Sequence, residues 1–110
     1  MFRFGYKPEV WNELIRRPAN REEALGRILE EAGCKLHGQW YALGDADGFT
    51  LIEAQDNTTA AGVALAIVSS GAFRTLETTA VLTQEELLSA LHVAGGVHYS
   101  APVDPSSRKA

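Results

Sequence analysis

The sequence predicts an α+β fold of the ferredoxin-like kind, a split βαββαβ order on a four-stranded antiparallel sheet with an extra C-terminal helix. Three observations carry this expectation. Phe2, Phe4 and Tyr6 alternate with Arg3 and Gly5, the period-2 signature of a half-buried strand. Asn20, Asp56 and Thr83 each stand as a capping residue ahead of apolar residues at helical spacing. The Asp- and Gly-rich run at residues 44–48 joins two strand-like segments as a hairpin turn. A chain of 110 residues suffices for one domain with a single core and needs no disulfide or metal staple.

The first strand gives way at Pro8, a favoured first-turn residue, to a short helix whose inner face carries Val10, Trp11 and Leu14. Pro18 ends that segment. Asn20, with Glu23 three residues on, starts the next helix; Leu25, Ile28, Leu29 and Ala32 form its apolar stripe, and Gly33 closes it. A second strand covers residues 34–42. Alternation puts Cys34, Leu36, Gly38, Trp40 and Ala42 on one side and Lys35, His37, Gln39 and Tyr41 on the other. The turn sends the chain back as a third strand over residues 49–53. Asp56 then caps a helix in which Ala60, Ala61, Ala64 and Ala66 permit close packing, while Val63, Leu65, Ile67 and Val68 make it apolar nearly all round. A helix of that kind is expected to be buried on both sides or to meet a partner. Ser69, Ser70 and Gly71 end it, and residues 73–79 form the fourth strand. Thr83 and Glu86 open a last helix carrying Leu87, Leu88 and Leu91. The domain is thus expected to span residues 1–94, with an extended tail over residues 95–110.

Composition narrows the function classes. The formal net charge is −4, and the Lys and Arg residues are scattered, so no basic stripe is present to bind a nucleic acid. Cys34 is the single cysteine, which suits a reducing compartment. No apolar run has the length of a signal or of a membrane span; the longest, residues 60–68, contains Gly62. A cytoplasmic protein without membrane or nucleic-acid partners is the expectation. Glycine-rich phosphate loops are absent, since Gly95-Gly96 lacks a preceding strand and a following helix.

The segment GDADGFTLIEAQDNTTAAGVALAIVSSGAFRTLETT, residues 44–79, resembles the GYD family of small bacterial proteins. Matching pieces are Leu51 to Ala54 before Asp56, the Ala-rich helix, Ser70-Gly71, and Arg74-Thr75 leading to Thr78-Thr79; their order and spacing, rather than any one of them, carry the resemblance. The Gly-Tyr-Asp turn that names the family reads Leu43-Gly44-Asp45-Ala46-Asp47-Gly48 here, with Ala46 where the family commonly has Tyr. In the first strand Tyr6-Lys7 replaces the more usual Tyr-Thr. The resemblance, which spans nearly all of residues 2–94, implies kinship with the dimeric α+β barrels. It therefore implies a homodimer, with a pocket between each sheet and its helices or between the two sheets. It implies no substrate, because that scaffold serves enzymes and plain binders alike.

Candidate site residues follow from alternation on the sheet. Arg3, His37, Gln39, Tyr41 and Thr50 are expected to point opposite to Phe2, Phe4, Leu36 and Trp40, with Arg74 as a further member. A cation, an imidazole and a phenol in one concavity suit an anionic or aromatic ligand. Two functional readings follow. The first is a homodimeric module that binds a small molecule or a protein and has no intrinsic catalysis. The alternative is a cofactor-independent enzyme of the monooxygenase or isomerase sort, with His37 and Tyr41 moving a proton and Arg74 holding a small anionic or aromatic substrate. A third reading makes the apolar helix and the final helix an interaction module. No cofactor or metal is expected. His37, His92 and His98 lack zinc spacing, the Asp45–Gly48 turn places Phe49 where a calcium ligand belongs, and the residue 56–70 helix has no histidine for a haem.

Overall fold

Strand alternation and the three caps produce the expected order. The structure, a computed structural model, describes residues 1–102. It comprises β1 (Phe2–Tyr6), α1 (Pro8–Arg16), α2 (Arg21–Glu31), β2 (Lys35–Tyr41), β3 (Gly48–Glu53), α3 (Asn57–Ser69), β4 (Phe73–Thr78) and α4 (Gln84–Gly96). The chain divides into two compact units, Met1–Ala80 and Val81–Ala110. All four strands lie in the first, in the antiparallel order β2-β3-β1-β4. That is the ferredoxin-like arrangement, in which β3 separates β1 from β2 and β1 separates β3 from β4.

The caps form as the sequence predicts. Asn20 Oδ1 accepts the Glu23 N–H at 3.0 Å, and Asp56 Oδ1 accepts the Thr59 N–H at 2.7 Å. Each satisfies a helix N–H that has no partner within the helix. Gly33 and Gly71 follow α2 and α3 at φ 74° and 77°, a conformation that side chains disfavour. In the second unit, Thr83 and Glu86 form the reciprocal capping box of α4. Gly95 and Gly96, placed in the tail by sequence, are the last two residues of that helix. Residues 97–102 carry no regular structure, and the rest of the expected tail lies outside the described residues.

Helices α2 and α3 lie on one face of the sheet. Phe2, Leu29, Cys34 and Val63 form the buried core there, with Leu25, Leu36, Ile52, Ala64, Ile67 and Leu76 packed around them. Cys34 is thus a small core residue. Helix α3 buries only Val63, and Leu65 and Val68 are exposed, so it is not a helix buried on both sides. Its apolar composition exceeds what this sheet covers. Among the described residues no helix is long and apolar enough to cross a membrane.

Candidate functional site

Two β-bulges decide which side chains share a face. Between Leu36 and Gly38 the pairing of β2 with β3 slips by one residue, leaving His37 as the extra member. Between Gly5 and Tyr6 the pairing of β1 with β4 slips likewise, Tyr6 pairing with Phe73 and Gly5 with Thr75, which leaves Arg74 extra. An inserted residue reverses the alternation beyond it. Gln39 therefore pairs with Thr50, and Thr50 with Phe2; Tyr41 pairs with Gly48, and Gly48 with Phe4. Paired residues project from the same face, so Gln39, Tyr41 and Thr50 lie on the helix-covered face with Phe2, Phe4 and Leu36. The expectation that they oppose those residues is corrected by the bulge for Gln39 and Tyr41, and by direct pairing with Phe2 for Thr50. Trp40, expected on the apolar inner side, pairs with Phe49 and so shares the open face with Arg3, 57% exposed.

The six predicted site residues therefore separate into groups. Gln39, Tyr41 and Thr50 come together: Thr50 Oγ1 donates to Gln39 Oε1 at 3.5 Å, and Gln39 Nε2 donates to Tyr41 Oη at 2.8 Å. Arg3 pairs with Glu77 across the open face at 3.5 Å. His37 sits exposed on edge strand β2, and Arg74 on the opposite edge strand β4. Three strand spacings, roughly 14 Å, separate those edges. Arg74 is engaged elsewhere: it donates to Asp45 O at 3.2 Å and pairs with Asp47 at 3.5 Å. His37, Tyr41 and Arg74 thus do not form one constellation.

Asp47 is the organising carboxylate of the turn. Its Oδ2 accepts the Tyr6 N–H at 2.9 Å and the Trp11 indole N–H at 3.2 Å, besides facing Arg74. Burial pushes the Asp47 carboxyl up, but the Trp11 and Tyr6 hydrogen bonds and the Arg74 charge together hold it below its ordinary value. Trp11 in turn packs edge-on against Tyr6 and Tyr41, which closes one end of an aromatic group with Phe4 and Phe73.

Helix α2 packs on β2 and α3 on β4, the two edges of the sheet. Between them, over the central strands β1 and β3, a cleft of about 500 Å³ remains. Its floor is Phe2, Phe4, Tyr6 and Thr50. One wall is the α2 stripe Arg21, Leu25, Ile28 and Ala32; the other is the α3 stripe Thr59, Gly62, Val63, Ala66, Ile67 and Ser70. Both stripes repeat at three and four residues, as one helical face must. Gln39, Phe73 and Leu76 complete the lining, in which no carboxylate takes part among the described residues.

Polarity gathers around Tyr6. Burial and the adjoining Tyr41 phenol push the Tyr6 hydroxyl well above its ordinary value of 10, and the Arg21 guanidinium pulls the other way without reversing the shift. Arg21 is also the one arginine among the described residues outside any ion pair: Arg3, Arg16, Arg17, Arg27 and Arg74 each face a carboxylate. Sequence reasoning passed over Arg21 and Tyr6, although both left signals. Arg21 shares the stripe of Leu25 and Ile28, and it is a cation in a first helical turn, where the helix dipole disfavours positive charge. Tyr6 keeps the phase of Phe2 and Phe4. No group of three His, Cys, Asp or Glu side chains able to hold a metal is found among the described residues.

No curated protein and no solved structure matches the chain. The family comparison does give a match: the GYD domain model covers residues 1–91, so the chain belongs to the GYD domain family.

Proposed function

We propose that this GYD domain protein is a homodimer that binds a small, largely apolar molecule in the cleft between α2 and α3 and has no catalysis of its own. The observation that carries the reading is the cleft itself, about 500 Å³ with a mostly apolar lining and a few polar groups around Tyr6. That size and lining are those of small-molecule sites. Among the described lining residues are no His, Cys, Lys or carboxylate side chains. The phenol at the polar end is shifted away from neutrality, so it stays protonated and donates a hydrogen bond instead of accepting a substrate proton.

The dimer is supported by the open face of the sheet. Trp40, Phe49 and Leu51 leave apolar surface there beside the Arg3–Glu77 pair. A two-fold axis lying across the line from Arg3 to Glu77 would set the cation of one copy against the anion of the other, which makes such a pairing self-complementary.

Gly62 supplies the test of the cleft. It lines the cleft, and a Cβ added there meets nothing within 4 Å, which leaves room for a longer side chain to start into the space. Gly62→Leu is expected to fill the space while raising stability by about 0.5–1 kcal/mol, the usual gain on removing a helix glycine. A neutral fluorescent probe, N-phenyl-1-naphthylamine, should brighten saturably with the parent protein and not with Gly62→Leu. Equal brightening with both, or none with either, refutes the reading.

A further inference from the structure

We propose that the ligand is an amphipathic carboxylate, with its apolar body over Phe2 and Phe4 and its charged end held by Arg21 and the Tyr6 phenol. The proposal rests on the reading of the cleft as a small-molecule site and adds the ligand's chemical class.

Charge is the first argument. Arg21 is the only charged side chain among the described residues of the cleft lining, and it alone among the described arginines faces no carboxylate. Each of the other described arginines has a carboxylate within 4.0 Å, Arg16 and Arg17 sharing Glu13. Helix stability does not account for Arg21 either, because the first turn of a helix favours anions over cations. One unpaired guanidinium matches one negative charge. Its planar fork takes both oxygens of a carboxylate at once, which an ammonium does not.

Hydrogen-bond capacity is the second argument. The Gln39 amide is committed at both ends, its oxygen to Thr50 and its nitrogen to Tyr41. Tyr41 Oη therefore accepts from Gln39 and keeps its own proton, and Tyr6 keeps another. Contact between the two phenols uses at most one of these protons. With Tyr41, which lies outside the lining, donating to Tyr6, the Tyr6 proton is left for a third group beside Arg21, and a carboxylate oxygen is the acceptor that answers both. The other polar residues of the described lining, Gln39, Thr50, Thr59 and Ser70, are uncharged, so a second anionic group would meet no cation there.

The experiment is isothermal titration calorimetry with 2-naphthoate and its neutral isostere 2-naphthamide, on the full chain. The acid is expected to bind about tenfold or more tightly than the amide, the size of a charge-assisted contact. In Arg21→Gln that preference should vanish while the amide's affinity holds. Arg16→Gln, which removes an equal charge from the Glu13 pair on α1, should leave the preference intact. Three results overturn the proposal alone: the amide binding as tightly as the acid, Arg21→Gln keeping the preference, or Arg16→Gln losing it equally. Binding of neither compound overturns the cleft reading along with it.

Discussion

The two faces of the sheet are made of similar residues and have different fates. The helix-covered face buries Phe2, Phe4 and Tyr6 to within 2–5% exposure, under a cleft flanked by α2 and α3. On the other face Trp40 is 57% exposed, and Phe49 and Leu51 are partly so. Both faces are apolar enough to need covering. One is covered by its own chain, incompletely, which leaves a space the size of a small molecule. The other leaves Trp40, Phe49 and Leu51 partly uncovered beside the Arg3–Glu77 pair, the surface proposed above for a second copy. The lesson is that unfilled apolar surface has two meanings, and its shape tells them apart.

Two glycines sharpen this contrast most. A side chain on Gly48 meets the Phe4 ring and lies 2.6 Å from the Trp40 carbonyl oxygen, which is backbone and does not yield. Gly48→Ala is expected to cost about 3 kcal/mol, as overpacking against fixed atoms does. A side chain on Gly38 meets the Trp40 indole at 2.6 Å, but that ring is exposed and swings away. Gly38→Ala is expected to cost less than about 1 kcal/mol. Thermal unfolding of the two variants decides the matter, and equal losses would erase the difference between the faces.

Asp47 grips both sides: Trp11, which closes the polar end of the helix face, and Arg74, whose guanidinium occupies the space a Gly5 side chain would take. Asp47→Asn should cost about 2 kcal/mol, chiefly through weakened charge-assisted bonds. The pH dependence follows from its lowered carboxyl. The folded state holds the proton less tightly than the unfolded chain does, so the stabilisation is fully present above the ordinary value of 3.8. It is lost as pH falls from there through the lower folded-state value. Urea titrations at descending pH should show that slope in the parent and not in Asp47→Asn.

The smallest effect on folding is expected from Trp40→Ala, below about 1 kcal/mol in the single chain because the ring is mostly solvated. Its effect on assembly should be much larger. Sedimentation velocity is expected to show a dimer for the parent and a monomer for the variant; unchanged mass would remove the open face from the dimer interface.

How far the sequence could be read depended on the kind of signal. Caps, turns and apolar spacing are local, and Asn20, Asp56, Thr83 and the residue 44–48 turn each marked their element correctly. Family likeness was legible for the same reason, because the order of those elements carries it. The site was less so. A bulge adds one residue to a strand with little change in its composition, and the one hint in KLHGQWY that His37 is extra is the glycine beside it, Gly38. Every residue after it was assigned to the wrong face. Gln39 and Tyr41 were assigned to the open face and lie on the helix-covered one, Arg3 stands opposite Phe2 and Phe4 as its alternation requires, and His37 and Arg74 are bulge residues at opposite edges of the sheet. Arg21 looked like an ordinary surface residue because its significance lies in what it lacks, a carboxylate neighbour, and only the packed fold shows that.

The most direct test of the cleft as the ligand site is an amide-resolved nuclear magnetic resonance titration of the full chain with 2-naphthoate. The account predicts saturable shifts at Tyr6, Arg21, Thr50, Gly62 and Val63, with Trp40, Phe49 and Leu51 unmoved. Shifts centred on Trp40, Phe49 and Leu51 instead, or no saturable shift at all, would contradict it.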